Sequence, residues 1–334
     1  MTALLDGPSA VQTLTLGKAL NLGLRRAMED DPKVVLMGED IGRLGGVFRI
    51  TDELQEDFGE DRVVDTPLAE AGIVGTAVGL AMRGYRPVCE IQFDGFVFPA
   101  CNQIVTQVAK IHARSRGRVP MPIVIRIPFG GGIGAVEHHS ESPEAYFAHT
   151  PGLKVVAVSN PVDAYWGIQQ AIACPDPVVF LEPKRRYWEK APVDTAVTPE
   201  PLFGSRVVRA GDDVTVLAYG PMVTTALQAA EAAESEGRSL EVVDLRTLSP
   251  LDLDPVHASV RRTGRCVVVH EAPVTLGLGA EIAARVTEAC FHSLEAPVLR
   301  VGGYDVSYPP AKLEEDYLPD LDRVLAAVDR TMEF

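Results

Sequence analysis

"RVVDTPLAEAGIVGTAVGLAMRGYRPVCEIQF", residues 62–93, sets two short apolar runs, RVVD and PVCEIQF, on either side of a segment with helical character. Neither run alternates apolar with polar residues. Continuous apolar strands separated by a helix mark a parallel sheet covered on both faces. The same pattern extends outward through VVLM (34–37), PIVIRI (122–127), LKVVAV (153–158) and PVVFLE (177–182), with helical spacing in LTLGKALNLGLRRAM and NPVDAYWGIQQAIA. A second set follows: VTVLAY (214–219), LEVVDL (240–245), CVVVH (266–270) and VLRV (298–301). Between the sets, APVDTAVTPEPLFG (191–204) is proline-rich and aperiodic, which predicts a linker. The expected fold is α/β, two doubly wound domains.

The chain has 334 residues, enough for two cores of ordinary size. A composition of 46% hydrophobic and 23% charged residues is that of a globular protein. A formal net charge of -15 repels phosphate backbones and anionic lipid, which argues against nucleic acid and membrane partners and leaves a basic protein partner open. The opening MTALLDGPSA lacks the pattern of a secretory signal, and no apolar run is long enough for a membrane helix. Five cysteines, odd in number and without a C-x-x-C pair, read as reduced thiols of a cytoplasmic protein.

Between Pro67 and Met82 the only charged side chain is Glu70. Thr66-Pro67 reads as a helix start, which puts Glu70 in the first turn, where a carboxylate complements the helix dipole. Against that bland role, the following helix is apolar all round, as a buried element is, and Gly72, Gly75 and Gly79 add a small-residue ridge. A buried acid without a partner is costly or has a raised pKa, so something should share its proton. The glycine stretches GGGIGA (130–135) and GLGAEI (277–282) do not complete a dinucleotide fingerprint and read as tight turns. Adjacent His138 and His139 do not jointly grip a metal well. Ser142-Pro143-Glu144 predicts the next helix start, where the dipole disfavours imidazolium; a surface loop is the alternative.

The sequence resembles the beta subunit of the thiamin-diphosphate-dependent decarboxylating component of 2-oxo acid dehydrogenase complexes. The resemblance is carried by MGED with GVF, DTPLAEAGIVGTAVGLA, EIQFDGFVFPACNQI, EHHSESPEAYFAHTPGLKVV, LEPK, EVVDLRTLSPLD and HEAPVTLGLGAEI, in order from about residue 13 to residue 330. It implies a pyrimidine-binding domain (13–190), a linker (191–204) and a transketolase C-terminal-like domain (205–330). EIQFDGFVFPA, HSESPEAYFAHTPG and LEPK lean toward branched-chain members, while Phe96 stands where many of those carry tyrosine and pyruvate members often carry phenylalanine.

The resemblance also implies roles. Glu70 would share its proton with N1′ of the cofactor's aminopyrimidine, favouring the imino form that activates the thiazolium. Leu68, Gln92 and Phe96 would surround that ring; the alternative is that all three are core residues after a buried strand. His139 would assist acyl transfer to a lipoyl group, with His138 structural. A potassium ion would draw on Ile123, Ala171, Ile172, Cys174 and Asp176. The chain has no G-D-G motif, so magnesium and the diphosphate would be held by an alpha subunit in an α2β2 assembly. A lipoyl-bearing acyltransferase would be the third partner, and the substrate a small 2-oxo acid, branched-chain or pyruvate. KLEEDYLPDLD (312–322) reads as a solvated acidic face or as a dock for a basic domain of that acyltransferase. A scaffold subunit without chemistry is the reading from another class.

Overall fold

Each apolar run singled out in the sequence is a strand in the computed structural model, which describes residues 11–197 and 200–334. The opening MTALLDGPSA, and Thr198 and Pro199 of the expected linker, lie outside the described residues. The first half carries β1 (Val11–Thr15), β2 (Val34–Gly38), β3 (Val63–Asp65), β4 (Arg86–Glu90), β5 (Val124–Phe129), β6 (Lys154–Ala157), β7 (Val178–Pro183) and β8 (Lys190–Asp194). The second carries β9 (Arg206–Arg209), β10 (Val214–Ala218), β11 (Leu240–Asp244), β12 (Thr247–Ser249), β13 (Cys266–Pro273) and β14 (Leu299–Gly303). Strands β2 to β7 pair only in parallel with one another. In the second sheet β11, β10, β13 and β14 are parallel, and β9 adds antiparallel at the edge.

Two features depart from the sequence reading. The segment expected to be a linker from residue 191 begins as strand β8, which pairs antiparallel with β1 in a ribbon of its own. Proline is tolerated in such an edge ribbon, so Pro192 concealed the strand. The second half also returns to the first: β12 pairs antiparallel with β6 and closes the edge of the larger sheet, giving the order β12-β6-β7-β5-β4-β2-β3. Covering β6 removes an exposed edge.

The helices Leu16–Asp30 and Pro161–Ala173 cover one face of the larger sheet. Thr15 caps the first by accepting from the Lys18 amide, and Asn160, followed by Pro161, caps the second. They approach closely at Gly23, where a Cβ would lie 2.6 Å from the Tyr165 carbonyl. On the other face one buried apolar cluster runs from Ile125 and Leu181 into Leu217, Val243 and Val268 of the second sheet. Each such side chain contributes about 1.5–3 kcal/mol by leaving water. The core is therefore continuous across the two halves.

The helix carrying Glu70 spans Glu70–Met82, three residues later than Pro67 predicts. The reason is local: the Thr66 amide still bonds the Gly38 carbonyl at 2.9 Å, so the chain at Pro67 remains extended beside β2. Nor is the helix buried all round. Glu70, Ile73, Val74, Ala77 and Ala81 face the core, while Gly72, Gly75, Thr76, Gly79 and Met82 are exposed.

Candidate active site

Residues just past the carboxyl ends of β2, β3, β4 and β5 converge on one rim of the larger sheet, where parallel α/β sheets place their ligand sites. Glu39 follows β2 and Glu70 opens the helix after β3; both are 7% exposed. Burial first, and then the charge of Glu70, push the Glu39 carboxyl above its ordinary range, while the Ala69 amide pulls it back. Glu39 Oε1 and Thr66 Oγ1 are buried without a partner. Two acids in a dry site, one with an unused oxygen, form a place that holds a proton.

Gln92 continues the chain beyond β4. Its Nε2 donates to the Glu39 carbonyl at 3.4 Å and to Asp40 Oδ2 at 3.2 Å, which ties this segment to the end of β2. The 3-10 turn Asp94–Ala100 then presents Phe96. His139 stands against both rings, its centroid 4.2 Å from that of Phe93 and 5.1 Å from that of Phe96. Its Nδ1 is buried without a partner. Glu70, Gln92, Phe96 and His139 thus lie along one linked run of contacts through Glu39 and Phe93. Leu68, beside Glu70 in sequence, is 81% exposed, so this patch is an open wall.

The histidines do not sit at the N-terminus of the next helix. They occupy their own 3-10 turn, Glu137–His139, and the helix begins at Glu144. The imidazole of His139 is nevertheless held below the ordinary histidine range, by burial first and then by His138, with Asp94 and Lys184 acting in opposite directions. His138 is half exposed and lies 3.6 Å from Glu137.

Under this patch lies a charged floor. Lys184, fully buried, pairs with Asp94, whose other oxygen accepts from the Glu141 amide at 2.8 Å. Deeper, Arg126 bridges Glu90 at 2.5 Å and Glu182 at 2.6 Å, and Tyr187 donates to Glu182. Removing one partner of such a buried pair costs about 3–5 kcal/mol. The floor holds the strand ends in register.

The residues expected to ligate potassium already meet fixed cations. Arg86 donates to the carbonyls of Ile172 at 2.8 Å and Cys174 at 3.3 Å, and Lys154 pairs with Asp176. The Ile123 carbonyl accepts from Val178, and that of Ala171 from Cys174. A potassium ion there would share the Ile172 and Cys174 carbonyls with the Arg86 guanidinium. Among the described residues no group of His, Cys, Asp or Glu has metal-binding geometry.

Sequence reasoning missed Glu39 and Asp94 as site residues. Both were visible only as polar residues directly after an apolar run. The glycines of GGGIGA make turns, as expected, and their amides are taken by Glu271 and Glu314 of the second half. Glu314 is therefore buried, which corrects the reading of KLEEDYLPDLD as a face solvated throughout.

The orphaned atoms test what could bind. A buried carboxyl at Glu70, unpaired oxygens on Glu39 and Thr66, an aromatic face at Phe96 and an unpaired imidazole nitrogen suit a flat ring bearing nitrogen donors and acceptors. An aminopyrimidine has those features.

Comparisons with known proteins give the chain's family. Residues 12–189 match the family described as "Transketolase, pyrimidine binding domain", and residues 204–324 match "Transketolase, C-terminal domain". The "Pyruvate dehydrogenase E1 component subunit beta" of Leifsonia xyli subsp. xyli is 63% identical over 332 residues, covering 99% of this chain and 98% of its own. The "3-methyl-2-oxobutanoate dehydrogenase subunit beta" of Mycobacterium tuberculosis is 56% identical, covering 96% of this chain and 92% of its own. The "2-oxoisovalerate dehydrogenase subunit beta" of Pseudomonas aeruginosa is 44% identical, with 98% and 97% covered. A solved structure described as "Split gene transketolase, inactive beta4 tetramer" superposes with a TM-score of 0.79 at 24% identity, over 96% of this chain and 98% of that one, a likeness of fold. No helix among the described residues is long and apolar enough to cross a membrane.

Proposed function

Since the chain belongs to the beta subunits of thiamin-diphosphate-dependent 2-oxo acid dehydrogenases, we propose that it oxidatively decarboxylates branched-chain 2-oxo acids together with an alpha subunit, passing the acyl group to the lipoamide of an acyltransferase. Glu70 carries the proposal. It is a carboxyl buried at the rim of an otherwise open wall, which suits a site completed by a second chain. The alpha subunit of an α2β2 assembly would supply the magnesium and diphosphate half. A cytoplasmic setting is supported by five free cysteines.

Thiamin diphosphate, when bound, supplies the electron sink for decarboxylation. Glu70, buried at the rim beside Glu39, would hold the ring nitrogen through its carboxyl. Phe96 would cover the ring and Leu68 would border it, while Gln92 fixes the segment beside it through the Glu39 carbonyl and Asp40. His139, whose imidazole is held below the ordinary histidine range by burial and then by His138, has an unpartnered Nδ1 with which to give or take a proton during acyl transfer.

The branched-chain reading rests on the resemblance of EIQFDGFVFPA, HSESPEAYFAHTPG and LEPK to branched-chain members. Asp94 of EIQFDGFVFPA and Lys184 of LEPK form a buried pair beneath His139. Pyruvate is the second reading, favoured by the name of the 63% identical relative and by phenylalanine at position 96. The pair of chains, wild type and Glu70→Gln, is to be assayed on 3-methyl-2-oxobutanoate and on pyruvate. We expect a preference for the branched substrate, and a loss of at least about 100-fold in Glu70→Gln with assembly retained. A pyruvate preference replaces the substrate; unchanged turnover in Glu70→Gln makes the chain a scaffold.

A further inference from the structure

The loop between β5 and His139 is gripped from the other half of the chain. Residues 130–134 adopt positive φ at Gly130, Gly132 and Gly134, which turns their amides toward one side. Gly131 donates to Glu271 Oε2 at 3.0 Å. Gly132 donates to Glu314 Oε1 at 2.8 Å and Gly134 to Glu314 Oε2 at 2.9 Å, so a single carboxylate spans two amides. Such a concave run of amides is an anion-binding nest, and here its anion is a side chain of the same molecule.

The arrangement is tight. A Cβ on Gly131 would lie 1.8 Å from the Tyr308 hydroxyl, and one on Gly132 would lie 2.6 Å from Arg185 Cδ. Tyr308 donates to Glu314 Oε1 at 2.6 Å, and Arg185 pairs with Glu271 at 2.7 Å, so both carboxylates are fixed in turn. Glu314 and Glu271 are buried.

Beyond Gly134 the chain has one short turn before it is held again. The His139 amide donates to the Val136 carbonyl, and Ser140 Oγ to the Ala135 carbonyl, so the turn is folded on itself. Asp94 accepts from the Glu141 amide, and a Cβ on Gly95 would meet the His138 carbonyl at 2.5 Å. His139 therefore hangs between two carboxylate anchors: Asp94 from its own domain, Glu314 from the other.

We propose that Glu314 is a positioning residue for His139, so that the second domain takes part in acyl transfer by setting where the imidazole stands. The inference rests on the reading that His139 serves that step. In Glu314→Gln one oxygen still accepts, but an amide NH2 meets the other backbone N–H, donor against donor, and the span opens at one end.

The experiment uses the enzyme assembled with its alpha subunit, thiamin diphosphate and magnesium. Two rates are read: acyl transfer to a lipoylated domain, and decarboxylation with an artificial oxidant that bypasses the lipoyl group. We expect Glu314→Gln to lower the first about tenfold and to leave the second within about twofold. In a His139→Asn background it should lower transfer no further, because it acts through that side chain. Multiplying effects, equal loss of both rates, or no loss each overturn the inference. If His139→Asn alone leaves transfer intact, the role of His139 fails instead. Hydrogen exchange then decides the positioning by itself: the peptide 130–139 should exchange slowly in the wild type and about tenfold faster in Glu314→Gln. Fast exchange in the wild type overturns the inference even where the variant does not assemble.

Discussion

Asp244 sits at the end of β11, fully buried, accepting from Ser159 Oγ at 2.5 Å and from the Arg246 amide at 3.0 Å. Burial first, then the charge of Asp163, push its carboxyl up to about 7, against Arg206 and its own hydrogen bonds. The folded chain thus keeps a proton that the unfolded chain releases near the ordinary value of 3.8. Its stabilising contribution is full below that value and is lost as the pH rises toward 7. Asp244→Asn should therefore gain on the wild type by roughly 1 kcal/mol for each pH unit above about 5, the slope easing as the pH nears about 7. Thermal unfolding of the purified chain across that range reads the difference, and parallel wild-type and variant curves refute it. At this scale the sequence was partly legible. Glu70 stood out because nothing else near it is charged, whereas Glu39, Asp94 and Glu314 look like ordinary surface acids until the fold buries them.

Among the helices, two glycines make opposite demands. Gly23 lies where the helices Leu16–Asp30 and Pro161–Ala173 meet, against the carbonyl of Tyr165, which cannot move aside. Overpacking there costs about 3 kcal/mol, more than the ~1 kcal/mol that alanine returns in helix propensity. Gly79 has nothing within 4 Å of its Cβ position. Gly23→Ala should thus lose about 2 kcal/mol and Gly79→Ala gain about 0.5–1 kcal/mol in denaturant unfolding; equal effects sink the distinction. Along the ridge Gly79 faces open space, while a Cβ on Gly72 would lie 3.6 Å from Ala69 Cβ and one on Gly75 3.8 Å from Gln103 Cγ, so no close approach within the chain requires these glycines. Continuous apolar strands were easy to recognise, being buried on both faces. β1, β8 and β9 were not, because ribbon and edge strands bury too little to impose a pattern, and β12, though buried, is only three residues long.

For the molecule as a whole, two sheets were foreseen but not their sharing. β12 belongs by sequence to the second half and by pairing to the first, and the apolar cluster beneath it runs through both. Unfolding should then be one calorimetric transition. Two resolved peaks would show the halves to be independent. The site follows the same logic of sharing: Glu70 comes from the first half, and the anchor of the His139 loop comes from the second.

That lent strand also bears on how the gene can be recombined. A chimera that joins this chain to a relative at residue 204, between the two family matches, also imports a foreign border for β6. Crossovers that keep residues 247–249 with the strand they shield should give soluble hybrids where the obvious cut gives aggregates.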